Sequence, residues 1–406
     1  MRVIGLTFFA LSKKTGKPNF FIMIQMGAIR TVNYRNTHLT RAIIHLDHLT
    51  HNMEVLQKKA GKRPLFPAIK ANAYGHDAEI IAKHLISLGY TTLCTAHISE
   101  AADLVEKGIN ATFIILSPTL AENSDYLIDY DFQPIVCSQV QLQALAQAAR
   151  KRNKKITIHI KVDTGMGRMG IRPDQILTFL DECKSHPEII IGGICSHFPR
   201  ADENDLSFSK TQINAFTALK KKTEAYNIPL YHIANSAALF ALAEAHLDAI
   251  RPGISIYGLK PSTSMVVPEL NDLKPVMSLV SRITLLKEVD QDTGISYGHQ
   301  YYTDKPSLIA TIPVGYGDGL SRSLSNRIEV LIGNERCRQI GNICMDQCMI
   351  DVTQLRGEVS IGDEVVIIGT QGSETITADD VAKKQHTVNY EIVTAIASRV
   401  PRIVAQ

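Results

Sequence analysis

A (β/α)8 barrel followed by a mostly β domain is the fold class this sequence predicts, and three observations predict it. From about residue 42 to 258, short runs rich in Val, Ile, Leu and Thr alternate with longer helical stretches. After about residue 272 that alternation stops, and short strands follow one another through Gly, Asp and Asn turns. The length of 406 residues suits two domains rather than one.

The strand candidates of the first part are residues 42–46, 65–70, 91–97, 112–116, 133–137, 156–162, 189–196, 231–234 and 250–257. Most are nearly unbroken apolar runs, as expected of strands buried on both faces. Helical periodicity lies between them, at 79–88, 99–107, 139–151 and 210–224. Strands alternating with helices imply parallel βαβ units, and roughly eight of these make a barrel. In the second part the strand candidates are 279–287, 307–313, 327–332, 348–352 and 364–369, with helices only at 378–384 and 391–398. The boundaries are therefore 39–272 for the barrel and 273–406 for the β domain. Residues 1–38 read as an extension of unknown role, in which Met23 and Met26 offer alternative starts. Its apolar run at 3–11 is too short to span a bilayer, and its stronger charge follows the run, unlike a signal peptide.

Composition narrows the function classes. Hydrophobic residues make up 45% and charged residues 20%, so a sizeable core is easy to build. A net charge of +3 gives no reason to invoke nucleic acid or an anionic membrane as partner. The seven cysteines include no CxxC pair and no zinc spacing, which fits reduced thiols in a cytoplasmic protein without a metal.

In such a barrel, functional side chains gather where the strands end. The polar residues there are Lys70, His97, Lys161 with Asp163, His197, Asn235 with Ser236, and Arg251. Several at once point to a site, although any one alone could be structural. Lys70 follows the apolar run 65–69. A desolvated, unpaired ammonium there has a lowered pKa and becomes a nucleophile towards an aldehyde, unless the side chain snorkels to solvent.

The segment Ala68-Ile69-Lys70-Ala71-Asn72-Ala73-Tyr74-Gly75-His76 resembles the cofactor-attachment motif of the alanine racemases, a family of barrel enzymes that use pyridoxal 5′-phosphate (PLP). The likeness continues in order through the run 160–170, His232-Ile233-Ala234-Asn235-Ser236, Arg251-Pro252-Gly253, Ser296-Tyr297-Gly298, the run 315–319, Cys344-Met345-Asp346-Gln347 and Asn389-Tyr390-Glu391. It covers both domains and leaves out only the extension.

The resemblance implies that Lys70 holds PLP as a Schiff base and serves as one of two catalytic bases. The other is Tyr297, supplied by the partner subunit's β domain of a homodimer and helped to ionise by Arg168. One base on each face is what inverting a stereocentre requires. Arg251 takes the place facing the pyridine nitrogen, fixed by a hydrogen bond to His197. An arginine there only donates and leaves the nitrogen unprotonated, which disfavours decarboxylation and transamination. Tyr74, Ser236 and Tyr390, with the backbone amides of Gly253 and Ile254, correspond to the phosphate ligands. Arg168 also lies by the cofactor's phenolic oxygen. The Met345 amide meets the substrate carboxylate, with Asp346 beside it, while Tyr316 and Arg322 flank the substrate channel. Lys161 corresponds to a position often carbamylated.

The implied reaction is interconversion of L- and D-alanine, supplying D-alanine for peptidoglycan. Three other readings stay open: a racemase of broader or different specificity (lysine, arginine or serine), a barrel decarboxylase, and a non-catalytic PLP carrier. Arg251 opposes the second, and the β domain opposes the third.

Overall fold

The computed structural model describes residues 37–405. The apolar run at 3–11 and the alternative starts Met23 and Met26 lie outside those residues.

Eight parallel segments close a barrel. Six of them form a continuous sheet: β2 (Thr92–Thr95), β3 (Thr112–Ile115), β4 (Gln133–Val136), β5 (Ile156–Lys161), β6 (Ile189–Cys195) and β7 (Tyr231–His232), in that order. Residues 65–69 and 250–252 complete the ring. Leu65 bridges Ile250, and Ala68 bridges Cys94 of β2, both in parallel. The Arg251 amide donates to Ala234 O at 3.0 Å, which joins the last segment to the β7 side. The strands read as apolar runs because both faces are covered: five of the six residues of β5 are buried. Amphipathic helices wrap the outside. The helix Leu46–Ala60, for example, buries Leu49, Met53, Leu56 and Ala60, spaced for one face. Two helix starts are capped as their sequences dictate. Asp77 accepts from the Glu79 and Ile80 amides, and Ser138 accepts from the Gln141 amide.

The second sheet has ten strands. Besides β1 (Arg41–Ile44) it holds β8 (Met277–Arg282), β9 (Leu285–Val289), β10 (Ser307–Ile312), β11 (Glu329–Ile332), β12 (Glu335–Ile340), β13 (Cys348–Asp351), β14 (Glu364–Gln371), β15 (Glu374–Ile376) and β16 (Arg402–Val404). Its path runs β16-β1-β8-β14-β11-β12-β13-β10-β9, with β15 paired to β14. Alternating burial along β8 is that of an antiparallel strand with one face on the core.

Three expectations are corrected. The first candidate strand, grouped by sequence with the barrel, is β1 of the second sheet, parallel to β16 and antiparallel to β8. From β1 onward the chain therefore leaves the second sheet, runs through the barrel and returns. The candidate 250–257 stays extended only to Pro252, which has no N–H to continue a ladder, and turns into a 3-10 helix at Ile254–Tyr257. Residues 279–287 are not one strand but β8 and β9, broken at 283–284.

Candidate active site

Lys70 does not end a strand as expected. It opens a left-handed helical turn, Lys70–Tyr74, with φ of +52° at Ala71, +53° at Asn72, +54° at Ala73 and +51° at Tyr74. Each such residue costs roughly 1–2 kcal/mol for an L-amino acid, so the turn survives only because its surroundings hold it. Ala73 N–H donates to Ile69 O at 2.8 Å and Gly75 N–H to Ala71 O at 3.0 Å. The Asn72 side chain accepts from the Ala78 amide at 2.8 Å. Arg402 donates to Gly75 O at 2.8 Å. The turn aims Lys70 and Tyr74 into a cavity of about 880 Å³ at the ends of the barrel strands.

That cavity is lined by Lys70, Tyr74, Lys161, Arg168, His197, Ser236, Arg251, Gly253, Ile254 and Tyr390, all singled out from sequence. Desolvation, and then the Arg168 guanidinium, push the Lys70 pKa down, while Glu100 opposes them. Lys161 is buried, and among the described residues no carboxylate is hydrogen-bonded to it. Its ammonium donates to Val162 O at 2.9 Å, and burial lowers its pKa. At the far wall, Ser236 Oγ accepts from the amides of Gly253 at 2.8 Å and Ser255 at 3.3 Å. A Cβ on residue 253 would sit 2.6 Å from Tyr74 Oη, so only glycine lets the phenol reach this corner. Tyr74 packs between Tyr257 and Tyr390, with ring centroids 5.0 and 6.2 Å away. Burial raises the pKa of Tyr74 and of Tyr390, so both hydroxyls stay protonated as donors. Two phenols, a serine and backbone amides at one end suit a phosphate; an amine at the other suits an aldehyde.

Between them lies Arg251, and here the sequence reading is corrected. No hydrogen bond joins the His197 side chain to Arg251 among the described residues. The partner is His232. Arg251 Nη1 donates to His232 Nδ1 and, at 3.0 Å, to His232 O; Nη2 donates to Ser196 O at 2.6 Å. Arginine has no acceptor, so His232 Nδ1 is unprotonated and the proton rests on Nε2. That nitrogen meets His159 Nδ1 at 2.9 Å, and His159 Nε2 in turn meets Gln133 Oε1 at 3.1 Å. The chain of donors thus runs one way, from Arg251 to Gln133. Desolvation holds both imidazoles neutral, with His159 lowered to about 4. Of five guanidinium N–H groups these bonds use three, which leaves two donors for an acceptor in the cavity, such as a ring nitrogen. The residues present therefore fit PLP from end to end.

Tyr297, Tyr316, Arg322, Met345 and Asp346 do not line this cavity. They form a second group on the β domain. Tyr297 O accepts from Asn342 Nδ2 at 2.7 Å. The Tyr316 amide donates to Cys344 O at 3.0 Å and the Gly317 amide to Met345 O at 2.9 Å. Arg399 bridges Asp318 and Asp346, both at 2.7 Å. Arg322 is tied in through Ser325, whose hydroxyl donates to Arg322 O and accepts from the Ile343 amide. Tyr297 is 74% exposed and Met345 52%. Sequence reasoning missed His232, His159, Gln133, Glu100 and Arg399. His232 had a signal, since it opens a motif already noted, whereas Gln133 and Arg399 had none.

A barrel whose strand ends meet a lysine-bearing cavity shaped for a phosphorylated aldehyde, joined to a β domain with an exposed tyrosine, defines the amino-acid racemase class of PLP barrels. The particular family follows from comparison with known proteins. Residues 44–261 match the family model for the alanine racemase N-terminal domain, and residues 276–404 match that for its C-terminal domain. The chain is 41% identical to alanine racemase 2 of Caldanaerobacter subterraneus subsp. tengcongensis, over 90% of this chain and 94% of that protein. It is also 41% identical to the alanine racemase of Halothermothrix orenii, over 91% and 98%. The solved alanine racemase of Streptomyces lavendulae superimposes with a TM-score of 0.85 at 33% identity, covering 91% of this chain and 97% of that one. The chain belongs to the alanine racemase family, isomerases that interconvert L- and D-alanine.

Proposed function

We propose that this protein racemises alanine with two bases drawn from two subunits, Lys70 from one and Tyr297 from the other. The observation that carries this reading is the separation of the two groups. Lys70 lies in the barrel cavity, whereas Tyr297 stands outside it and 74% exposed, which supports a site completed by the tyrosine of a second copy. Bound in the cavity, PLP supplies the electron sink that makes the substrate's Cα–H acidic.

The chain's own residues do the rest. Tyr74, Ser236, Tyr390 and the amides of Gly253 and Ile254 bind the phosphate. Arg251, aligned by His232, offers its remaining N–H groups to the ring nitrogen without giving up a proton. Lys70, kept from holding its proton tightly by burial and Arg168, takes or returns a proton at Cα on the face used by the D-enantiomer. Tyr297 of the partner subunit does the same on the opposite face. The partner's Met345 amide receives the substrate carboxylate, with the partner's Asp346 beside it, and the partner's Tyr316 and Arg322 narrow the channel. Lys161 faces the charges of Arg168 and Arg251. Reaction of its neutral amine with carbon dioxide, releasing one proton, would give a carbamate able to hold Arg168. Among the described residues no helix is long and apolar enough to cross a membrane. A cytoplasmic enzyme feeding D-alanine to peptidoglycan is the setting this chemistry suits.

The test mixes Lys70→Ala and Tyr297→Phe subunits. Each alone is expected to fall at least 1000-fold in kcat, and the mixture to regain up to about a quarter of wild-type activity through hybrid sites, as two inactive partners share one good site per mixed dimer. Two variants that are each fully active would sink the reading. Conversion of L-lysine, L-arginine or L-serine in preference to L-alanine would redirect it to another racemase.

A further inference from the structure

Glu100 does not line the cavity, yet its carboxylate touches the chain beside Lys70. Oε1 accepts from the Ala71 amide at 2.6 Å. Oε2 accepts from the amides of Ala96 at 2.7 Å and His97 at 3.1 Å. The second pair is what a glutamate in the first turn of the helix Ile98–Glu106 ordinarily does for its own helix start. The first bond is different. It crosses to the left-handed turn and takes the amide of the residue after Lys70. That amide opens the turn, and the turn's own carbonyls serve only later donors: Ala71 O accepts from Gly75, Asn72 O from Asp77 and Ala73 O from His76. The other braces, Asn72 to Ala78 and Arg402 to Gly75, grip the far end of the turn. Among the described residues, Glu100 is the side chain that grips it next to the lysine, while on the other side of Lys70 the Ile69 amide donates to Cys94 O at 2.8 Å.

We propose that Glu100 is a positioning residue for Lys70: its carboxylate fastens the Ala71 amide to the end of the neighbouring strand β2 and so fixes the direction in which the lysine enters the cavity. The inference rests on the PLP reading above and adds to it. Glu100 also opposes the lowering of the Lys70 pKa, as does the Cys94 thiol.

The experiment uses the full chain, cofactor-free, as wild type, Glu100→Asp and Glu100→Gln. Aspartate keeps the charge and the bonds within its own helix start but is one methylene too short for Ala71. Each protein is mixed with PLP and sampled into borohydride, and the Lys70 peptide is weighed by mass spectrometry. Binding of pyridoxamine 5′-phosphate, which has no aldehyde, is measured in parallel by fluorescence. Glu100→Asp is expected to label Lys70 at least tenfold more slowly and to bind pyridoxamine 5′-phosphate within threefold of wild type, with kcat lowered in both directions and KM nearly unchanged. Glu100→Gln, which keeps the reach, is expected to slow labelling by about threefold, and it carries the same comparison if Glu100→Asp does not fold. Wild-type labelling rates in the variants, or equal losses of labelling and analogue binding, would overturn the proposal. Absence of any borohydride-stable link in wild type would instead sink the PLP reading.

Discussion

At the residue scale, the imidazole chain behind Arg251 explains how a guanidinium is held in one orientation inside a barrel. Every link has a fixed donor and a fixed acceptor, because arginine cannot accept and the buried imidazoles stay neutral. Replacing His232 by Phe removes the imidazole acceptor of Arg251 Nη1, leaving it the backbone oxygen of residue 232, and leaves His159 Nδ1 unpaired. A hydrogen bond to a charged group is worth roughly 1.5–3 kcal/mol, so kcat is expected to fall by about 10- to 100-fold. Steady-state kinetics on a variant with unchanged circular dichroism check this, and an unchanged kcat would mean that the chain does not align Arg251. Sequence pointed to His197 for this role, and the error has a physical source. Arg251 lies on the segment next to β7, so a side chain of β7 is its direct neighbour, while His197 follows β6, one strand farther round. Strand order in a barrel decides such contacts, and a motif read along the chain does not display it. Lys70, Lys161, His197, Ser236 and Arg251 were legible for the opposite reason, since each sits at or just after the end of a barrel segment, where side chains gather, whereas Arg168 and Tyr390 were found through the motifs.

At the element scale, the left-handed turn after Lys70 was not legible. Ala, Asn, Ala and Tyr carry no signal for four successive positive φ values. Gly75, which ends the turn at φ +85°, is the one residue whose type reports it. A Cβ there would lie 2.1 Å from Val393 O, in the helix that carries Tyr390. Gly75→Ala is therefore expected to cost about 2–4 kcal/mol, from strain at a positive φ and a backbone clash, and to weaken phosphate binding by displacing Tyr390. Urea unfolding and inorganic phosphate titration measure the two effects, and a variant as stable as wild type would contradict the packing described. Strand β12 was missed although its signal was present. Gly333 and Asn334, at φ +58° and +70°, form the two-residue turn between β11 and β12, and a Gly-Asn pair after an apolar run is a hairpin signature. Strand β1 was found but assigned to the wrong sheet, because an apolar run does not say which partner it will pair with.

At the scale of the whole molecule, the buried histidines make stability depend on pH. His76 and His159 are both held near a pKa of about 4 by desolvation, against an ordinary value of 6.5. Above pH 6.5 both are neutral folded or unfolded. As pH falls from 6.5 towards 4 the unfolded chain takes up protons that the folded one refuses, so stability is lost across that window, by about 3 kcal/mol per histidine. His76 stacks on Tyr257 with centroids 4.4 Å apart, a place a phenyl ring can take. His76→Phe is expected to lose about 3 kcal/mol less than wild type between pH 7 and pH 4. Urea unfolding at the two pH values decides it, and parallel losses in the two proteins would refute the assignment.

The exposed position of Tyr297, apart from the Lys70 cavity, has a consequence for inheritance. If each working site takes one base from each copy, a subunit lacking only Lys70 or only Tyr297 spoils one site of a mixed dimer and spares the other. A subunit lacking both spoils the two together, since its partner's lysine meets no tyrosine and its partner's tyrosine meets no lysine. An allele carrying both changes would therefore be dominant-negative, and more damaging beside a normal gene than either change alone.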